Sequence, residues 1–195
     1  MRLVCALVLI FLAASGEAAA AARDNGCSGL IQCLFGASQR PSATTGRQVV
    51  AYAQAEQYPQ GAIIVSTPER RLYLVLGSGK AISYPVGVGK QGYQWSGTSK
   101  VVRKAKWPSW TPPVAMIQRA RAEGLFLPDE LDGGPNNPLG ARALYIGGTL
   151  YRIHGTNQEA SIGHEVSSGC IRMKNDDVID LYNRVRIGAP VHVIQ

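Results

Sequence analysis

From Gly61 onward the texture of the chain changes, and short apolar runs bounded by turn residues recur in the manner of β-strands. Residues 62–66 (A-I-I-V-S) and 71–76 (R-L-Y-L-V-L) read as strands, with Thr67-Pro68-Glu69-Arg70 turning between them. Leu76-Gly77-Ser78-Gly79-Lys80 is a tight turn into a third run, 81–86. Two hairpins in succession predict an antiparallel meander. Gly87, Gly89, Gly92 and Gly97 punctuate a loop before a strand over 98–104. Its G-V-G-K spacing lacks the rest of any nucleotide motif.

Trp107-Pro108-Ser109-Trp110-Thr111-Pro112-Pro113 reads as a rigid aromatic loop, followed by a short helix over 114–123 with Met116, Ile117 and Ala120 on one face. Residues 133–140 form a long irregular stretch, of the kind that carries function in a small domain. A further hairpin joins 143–146 to 149–153 through Gly147-Gly148, with His154 at its exit. Asn175 reads as a helix N-cap with Asp176 and Asp177 in the first turn, and Val178, Leu181, Tyr182 and Val185 make an apolar stripe. Gly188 ends that helix before a last strand, 191–194. The pattern predicts one mainly β domain of antiparallel strands over 61–195, with two short helices.

Upstream the texture differs. Met1-Arg2 precedes a dozen apolar residues and then small ones, the form of a secretory signal peptide over 1–22. The run is shorter than the ~20 residues a spanning helix needs. Residues 23–60, rich in Gly, Ser, Thr, Gln and Ala, read as a tether, with a possible short helix near 49–56. Removing 1–22 takes away one arginine and one glutamate, so the net charge stays at +7. An exported basic protein meets anionic envelope polymers and lipid headgroups, although a merely basic soluble surface has the same charge. Nucleic acid is not an expected partner outside the cytoplasm.

Of the four cysteines, Cys5 leaves with the signal. Cys27 and Cys33 can pair in an oxidising compartment, which leaves Cys170 as a free thiol. A bridge from Cys170 to either of them is the competing arrangement. A lone cysteine with a histidine upstream is the minimum set for thiolate catalysis, and His154 lies sixteen positions before Cys170. Each has a plain alternative, a buried small hydrophobe for the cysteine and a satisfied polar group for the histidine. Their surroundings favour chemistry. Gly169 permits a sharp turn that aims the Gly169 and Cys170 N–H groups at an oxyanion, and Arg172 offers a fork for a carboxylate. With no Asp or Asn beside His154, the Gly155 carbonyl is the candidate orienter of its second nitrogen. His154, His164 and Cys170 would make a zinc set only with a fourth ligand that the sequence does not supply, so no metal and no cofactor are expected.

H-G-T at 154–156, I-G-H-E-V-S-S-G-C-I-R-M at 162–173, N-D-D-V-I-D-L-Y at 175–182 and N-P-L-G-A-R-A-L-Y at 137–145 together resemble the YkuD-type L,D-transpeptidase family over 61–195. The resemblance implies a YkuD-like β-sandwich or meander, a Cys170 nucleophile, a His154 base and peptidoglycan stem peptides as acyl donors. Gly169, Arg172, Ser168 and Thr156 are then expected to contact substrate. It further implies attack on the third stem residue, loss of the terminal D-alanine, and transfer to an amine on another stem, on an outer-membrane protein or on a free D-amino acid. Carbapenems block the family by acylating its nucleophile. Many members have Ser-His-Gly-Cys, whereas this chain has Ser168 in the histidine's place. The expected protein is a monomer in the periplasm or cell envelope. A carboxypeptidase on the same scaffold and a non-catalytic wall-binding module are the alternatives.

Overall fold

The computed structural model describes residues 46–195. The expected signal peptide and the Cys27–Cys33 pair lie outside them. In chain order the elements are β1 (Gln48–Ala51), a 3-10 turn (Ala53–Gln57), β2 (Ile63–Ser66), β3 (Arg71–Gly77), β4 (Lys80–Pro85), β5 (Val88–Gly89), β6 (Gly97–Lys106) and α1 (Val114–Ala122). They continue with β7 (Arg142–Ile146), β8 (Arg152–His154), a 3-10 turn (Glu159–Ser161), β9 (Glu165–Ser167), β10 (Ile171–Arg172), α2 (Asn175–Arg184) and β11 (Pro190–Ile194).

Nine strands form one sheet in the order β1-β4-β3-β2-β11-β6-β7-β8-β10, and β5 pairs separately with β9. The ten-residue β6 joins two halves, pairing with β11 on one side and β7 on the other. Leu72, Leu74, Ile82 and Tyr84 from the first half share one buried cluster with Leu144, Ile146, Ile153 and Ile171 from the second, so the sheet bends over a common core. Val178, Leu181 and Val185 bring α2 into the same core, as the apolar stripe predicted. Lys104 ties that helix to the sheet, donating to the carbonyls of Tyr182 (2.5 Å) and Val185 (2.6 Å). These acceptors are among those a helix end leaves unpaired.

The β2-β3-β4 meander and the β7-β8 hairpin form as the pattern predicted. Two features differ. Residues 48–57, which composition places in the tether, make an edge strand on β4 and a 3-10 turn rather than a helix. Val50, Tyr52 and Ala55 pack on Tyr73 and Val75, with the Tyr52 and Tyr73 rings stacked at 4.2 Å, so a short apolar set outweighs a polar composition. The sheet is also not wholly antiparallel. β11 runs parallel to β2, and β10 parallel to β8. Parallel partners need crossover connections, which here are supplied by long chain segments rather than tight turns.

Candidate active site

The β8–β10 pair builds the site. Its register sets Ile171 beside Ile153 and Arg172 beside His154, which places Cys170 beside Arg152. Side chains alternate along a strand. Ile153 and Ile171 therefore enter the core, and Arg152, His154, Cys170 and Arg172 share the opposite face. Cys170 and His154 are diagonal neighbours on that face, a relation that separates backbones by roughly 7–8 Å and leaves side chains within reach.

His154 is 4% exposed, and its Nδ1 lies 2.5 Å from the Gly155 carbonyl. A carbonyl only accepts, so Nδ1 carries the hydrogen and Nε2 keeps its lone pair. Burial lowers the imidazole pKa to about 4, Arg172 and Arg152 push the same way, and the Gly155 carbonyl opposes them. Cys170 is a free, partly buried thiol. Burial pushes its pKa up, against the pull of the Arg152 main chain, the Arg152 guanidinium and Arg172. Both shifts favour uncharged forms, so the resting pair is thiol and neutral imidazole. No hydrogen bond joins the two among the described residues; contacts of this kind are often long without substrate.

The histidine shift has a measurable consequence. Below pH 6.5 an unfolded chain protonates this histidine and the folded chain does not, so stability falls as pH drops from 6.5 towards 4. The full shift is worth about 3 kcal/mol. Urea unfolding of wild type and His154→Gln at pH 7 and pH 4 should show the wild type losing that much more; parallel losses would mean the imidazole titrates normally.

Two side chains set the backbone of the site. Ser167 Oγ donates to the Cys170 carbonyl (2.6 Å) and accepts from the Gly169 N–H (3.1 Å), closing a turn around the cysteine. Gly169 has φ 107°, and a Cβ there would stand 1.9 Å from Tyr151 Cε1, so only glycine fits. Asn175 is the second. Its Oδ1 accepts from the Ala141 N–H (2.9 Å) and its Nδ2 donates to the Thr156 carbonyl (3.1 Å). It is the first residue of α2, after Lys174, and does not cap that helix as its position suggested. The carboxamide is engaged elsewhere, pressed so closely to Gly155 that a Cβ there would lie 2.3 Å from Oδ1.

The other expected contacts divide. Arg172 is on the face with His154, and its main chain is bridged to Gly87. Ser168 is exposed. Thr156 is 2% exposed with its hydroxyl accepting from the Gln158 N–H, which fits a turn rather than a groove wall. The Gly169 N–H is held by Ser167, so of the two expected oxyanion donors the Cys170 N–H is the one left. His164 is exposed, and no cluster of three or more potential metal ligands occurs among the described residues. The places of Arg152 and Ser167 beside the cysteine went unread in the sequence, and Asn175 was read only as a helix cap. The alternation of Arg152 with His154 on one short strand was the available sign for the first.

The family defined by the YkuD L,D-transpeptidase catalytic domain matches residues 60–193. The chain belongs to the L,D-transpeptidase family. It is 42% identical over 139 residues to the probable L,D-transpeptidase YbiS of Escherichia coli, covering 69% of this chain and 44% of that protein. It therefore spans less than half the length of that relative. Among solved structures, a Brucella melitensis protein described as a probable carnitine operon oxidoreductase is 43% identical, with 75% of this chain and 91% of that one covered and a TM-score of 0.51. L,D-transpeptidase 3 of Mycobacterium tuberculosis, solved with a faropenem-derived adduct, is 19% identical, with coverages of 70% and 61% and a TM-score of 0.53. That last likeness is one of fold. Within the family frame, the mainly β architecture agrees with what the sequence predicted, and the family acts on peptidoglycan peptide stems.

Proposed function

We propose that this domain is a cysteine-dependent acyltransferase acting on peptidoglycan stem peptides after export to the cell envelope. The observation that carries the reading is the His154–Gly155 contact, which leaves Nε2 unprotonated on the face that bears the Cys170 thiol. Because the resting pair is uncharged, the thiol proton passes to Nε2 as the donor binds. The sulfur then attacks the carbonyl of the third stem residue, a diamino acid attacked at its L-centre. The Cys170 N–H and the nearby Arg172 charge stabilise the oxyanion. The C–N bond breaks, the D-alanine amine takes the proton from His154, and a thioester remains. An incoming amine gives a proton back to Nε2, attacks the thioester and restores the thiol.

The deciding assay supplies purified protein with a donor tetrapeptide and a choice of amines: a second stem, a lysine-bearing envelope protein, or a D-amino acid. Joined product supports transfer and names the acceptor. Tripeptide with no joined product would make the enzyme a carboxypeptidase, and unchanged donor under all conditions would leave only a wall-binding module.

A further inference from the structure

On the face that bears the thiol, the sheet sets four side chains in one cross-strand row. Arg103 on β6 is registered with Tyr145 on β7, Tyr145 with Arg152 on β8, and Arg152 lies beside Cys170 ahead of β10. Adjacent strands are about 4.8 Å apart, so the row runs roughly 14 Å from the sulfur to Arg103. Residues in such a row touch. The Arg103 guanidinium lies 3.5 Å from the Tyr145 ring centroid and that of Arg152 lies 5.3 Å from it, so two cations approach one ring from the strands on either side.

Arg103, Tyr145 and Arg152 line a cavity of about 230 Å³ with Ser109, Trp110 and Thr111 from the aromatic loop after β6. Its wall holds two guanidiniums and three hydroxyls, those of Ser109, Thr111 and Tyr145, and no acidic side chain. Arg152 Nε is shielded from solvent with no hydrogen-bond partner, and neither arginine has a carboxylate partner among the described residues. A guanidinium held in a fixed plane by an aromatic ring is prepared to grip a carboxylate with two parallel bonds. The buried unpaired Nε is a group whose cost a bound anion would remove.

We propose that this cavity is a donor-side subsite for a carboxylate, held by Arg103 and Arg152 on the Tyr145 ring and set several bonds back from the attacked carbonyl. The inference rests on the acyl-donor reading above and makes it more specific. The carboxylate of the leaving D-alanine sits too near the scissile bond to reach Arg103. Two others on a stem can reach it: the side-chain carboxylate of a diamino diacid at the third residue, and the free carboxylate of the second. The subsite makes free-acid stems the preferred donors over amidated ones.

The test is calorimetric binding to Cys170→Ala protein, which separates recognition from turnover. Three tetrapeptides are compared: free acid at both positions, amidated at the third residue, and amidated at the second. One amidation should weaken binding about tenfold, and that position identifies the carboxylate. Adding Arg103→Gln should weaken the free-acid peptide by a similar factor and leave the amidated one unchanged. Arg103 is exposed, so its loss should not affect folding. Equal affinities for all three peptides, or an Arg103→Gln effect of the same size on each, would overturn the subsite. Wild-type turnover of the same peptides separates the two readings. Product from every donor with equal KM removes the subsite and leaves the acyltransferase; no binding and no turnover of any donor removes both.

Discussion

Cys170→Ala protein should fold as wild type, bind donor peptide and transfer no acyl group, with turnover down by about 10⁴-fold or more, as when other catalytic nucleophiles are removed. The fold is expected to survive because Cys170 is only partly buried and is bonded to no other cysteine among the described residues. Neighbouring Ile171 and Met173, by contrast, are core residues. The chemistry is expected to vanish because the side chains registered nearest the sulfur on that face, Arg152, His154 and Arg172, offer no thiol or hydroxyl in its place. Serine should not substitute. An imidazole whose pKa burial lowers to about 4 is too weak a base to ionise an alcohol without substrate, whereas a thiol is far more acidic. The readout is intact mass after incubation with a carbapenem, beside the donor assay. Wild type should gain one covalent adduct and Cys170→Ala none. An adduct of equal yield on both proteins would place the reactive group elsewhere and end the cysteine mechanism.

Gly169→Ala should be nearly as damaging, by a different route. At φ 107° an alanine is strained by about 1–2 kcal/mol before any neighbour is considered. Its Cβ would also meet Tyr151 Cε1 at 1.9 Å and the Tyr93 carbonyl at 2.7 Å. Tyr151 cannot yield freely, since its ring stacks on Trp95 at 5.8 Å with an angle of 9° and packs against the core. With overpacking included, the expected loss is about 3–4 kcal/mol of stability. Whatever movement relieves the clash must open the turn that Ser167 closes, displacing the sulfur and the Cys170 N–H together. Acylation should fall by at least about 100-fold, the scale of an ångström's misplacement. Thermal unfolding and carbapenem acylation rates check both parts. A variant that melts and reacts like wild type would show that the turn is far looser than the structure draws it.

The longer strands and both helices were legible because their evidence is local. Residues 62–86 fall into short apolar runs bounded by turn residues, and Val178, Leu181 and Val185 repeat at helical spacing. Cys170 and His154 stood out as a candidate pair for a related reason, since few residue types can serve as nucleophile and base and this chain has few of either. What stayed hidden depends on register. Arg103, Tyr145 and Arg152 are far apart in sequence, and only the pairing of β6, β7 and β8 makes them a row. The parallel pairing of β10 with β8 is likewise invisible in a two-residue strand. Asn175 was misread because asparagine before acidic residues has the composition of a cap, and nothing local shows that its carboxamide faces Ala141 and Thr156. The Thr156 hydroxyl is likewise engaged locally, accepting from the Gln158 N–H.

The clamp made by Asn175 ties the height of the imidazole to the first turn of a helix. One amide must accept from one loop and donate to another, so aspartate, with the same shape but no donor, would satisfy Ala141 and repel Thr156. The proposed base is thus hung from a helix end, the part of a helix that frays first. Warming that loosens this one turn would slacken the Gly155 carbonyl and switch off chemistry while the rest of the sheet stayed intact.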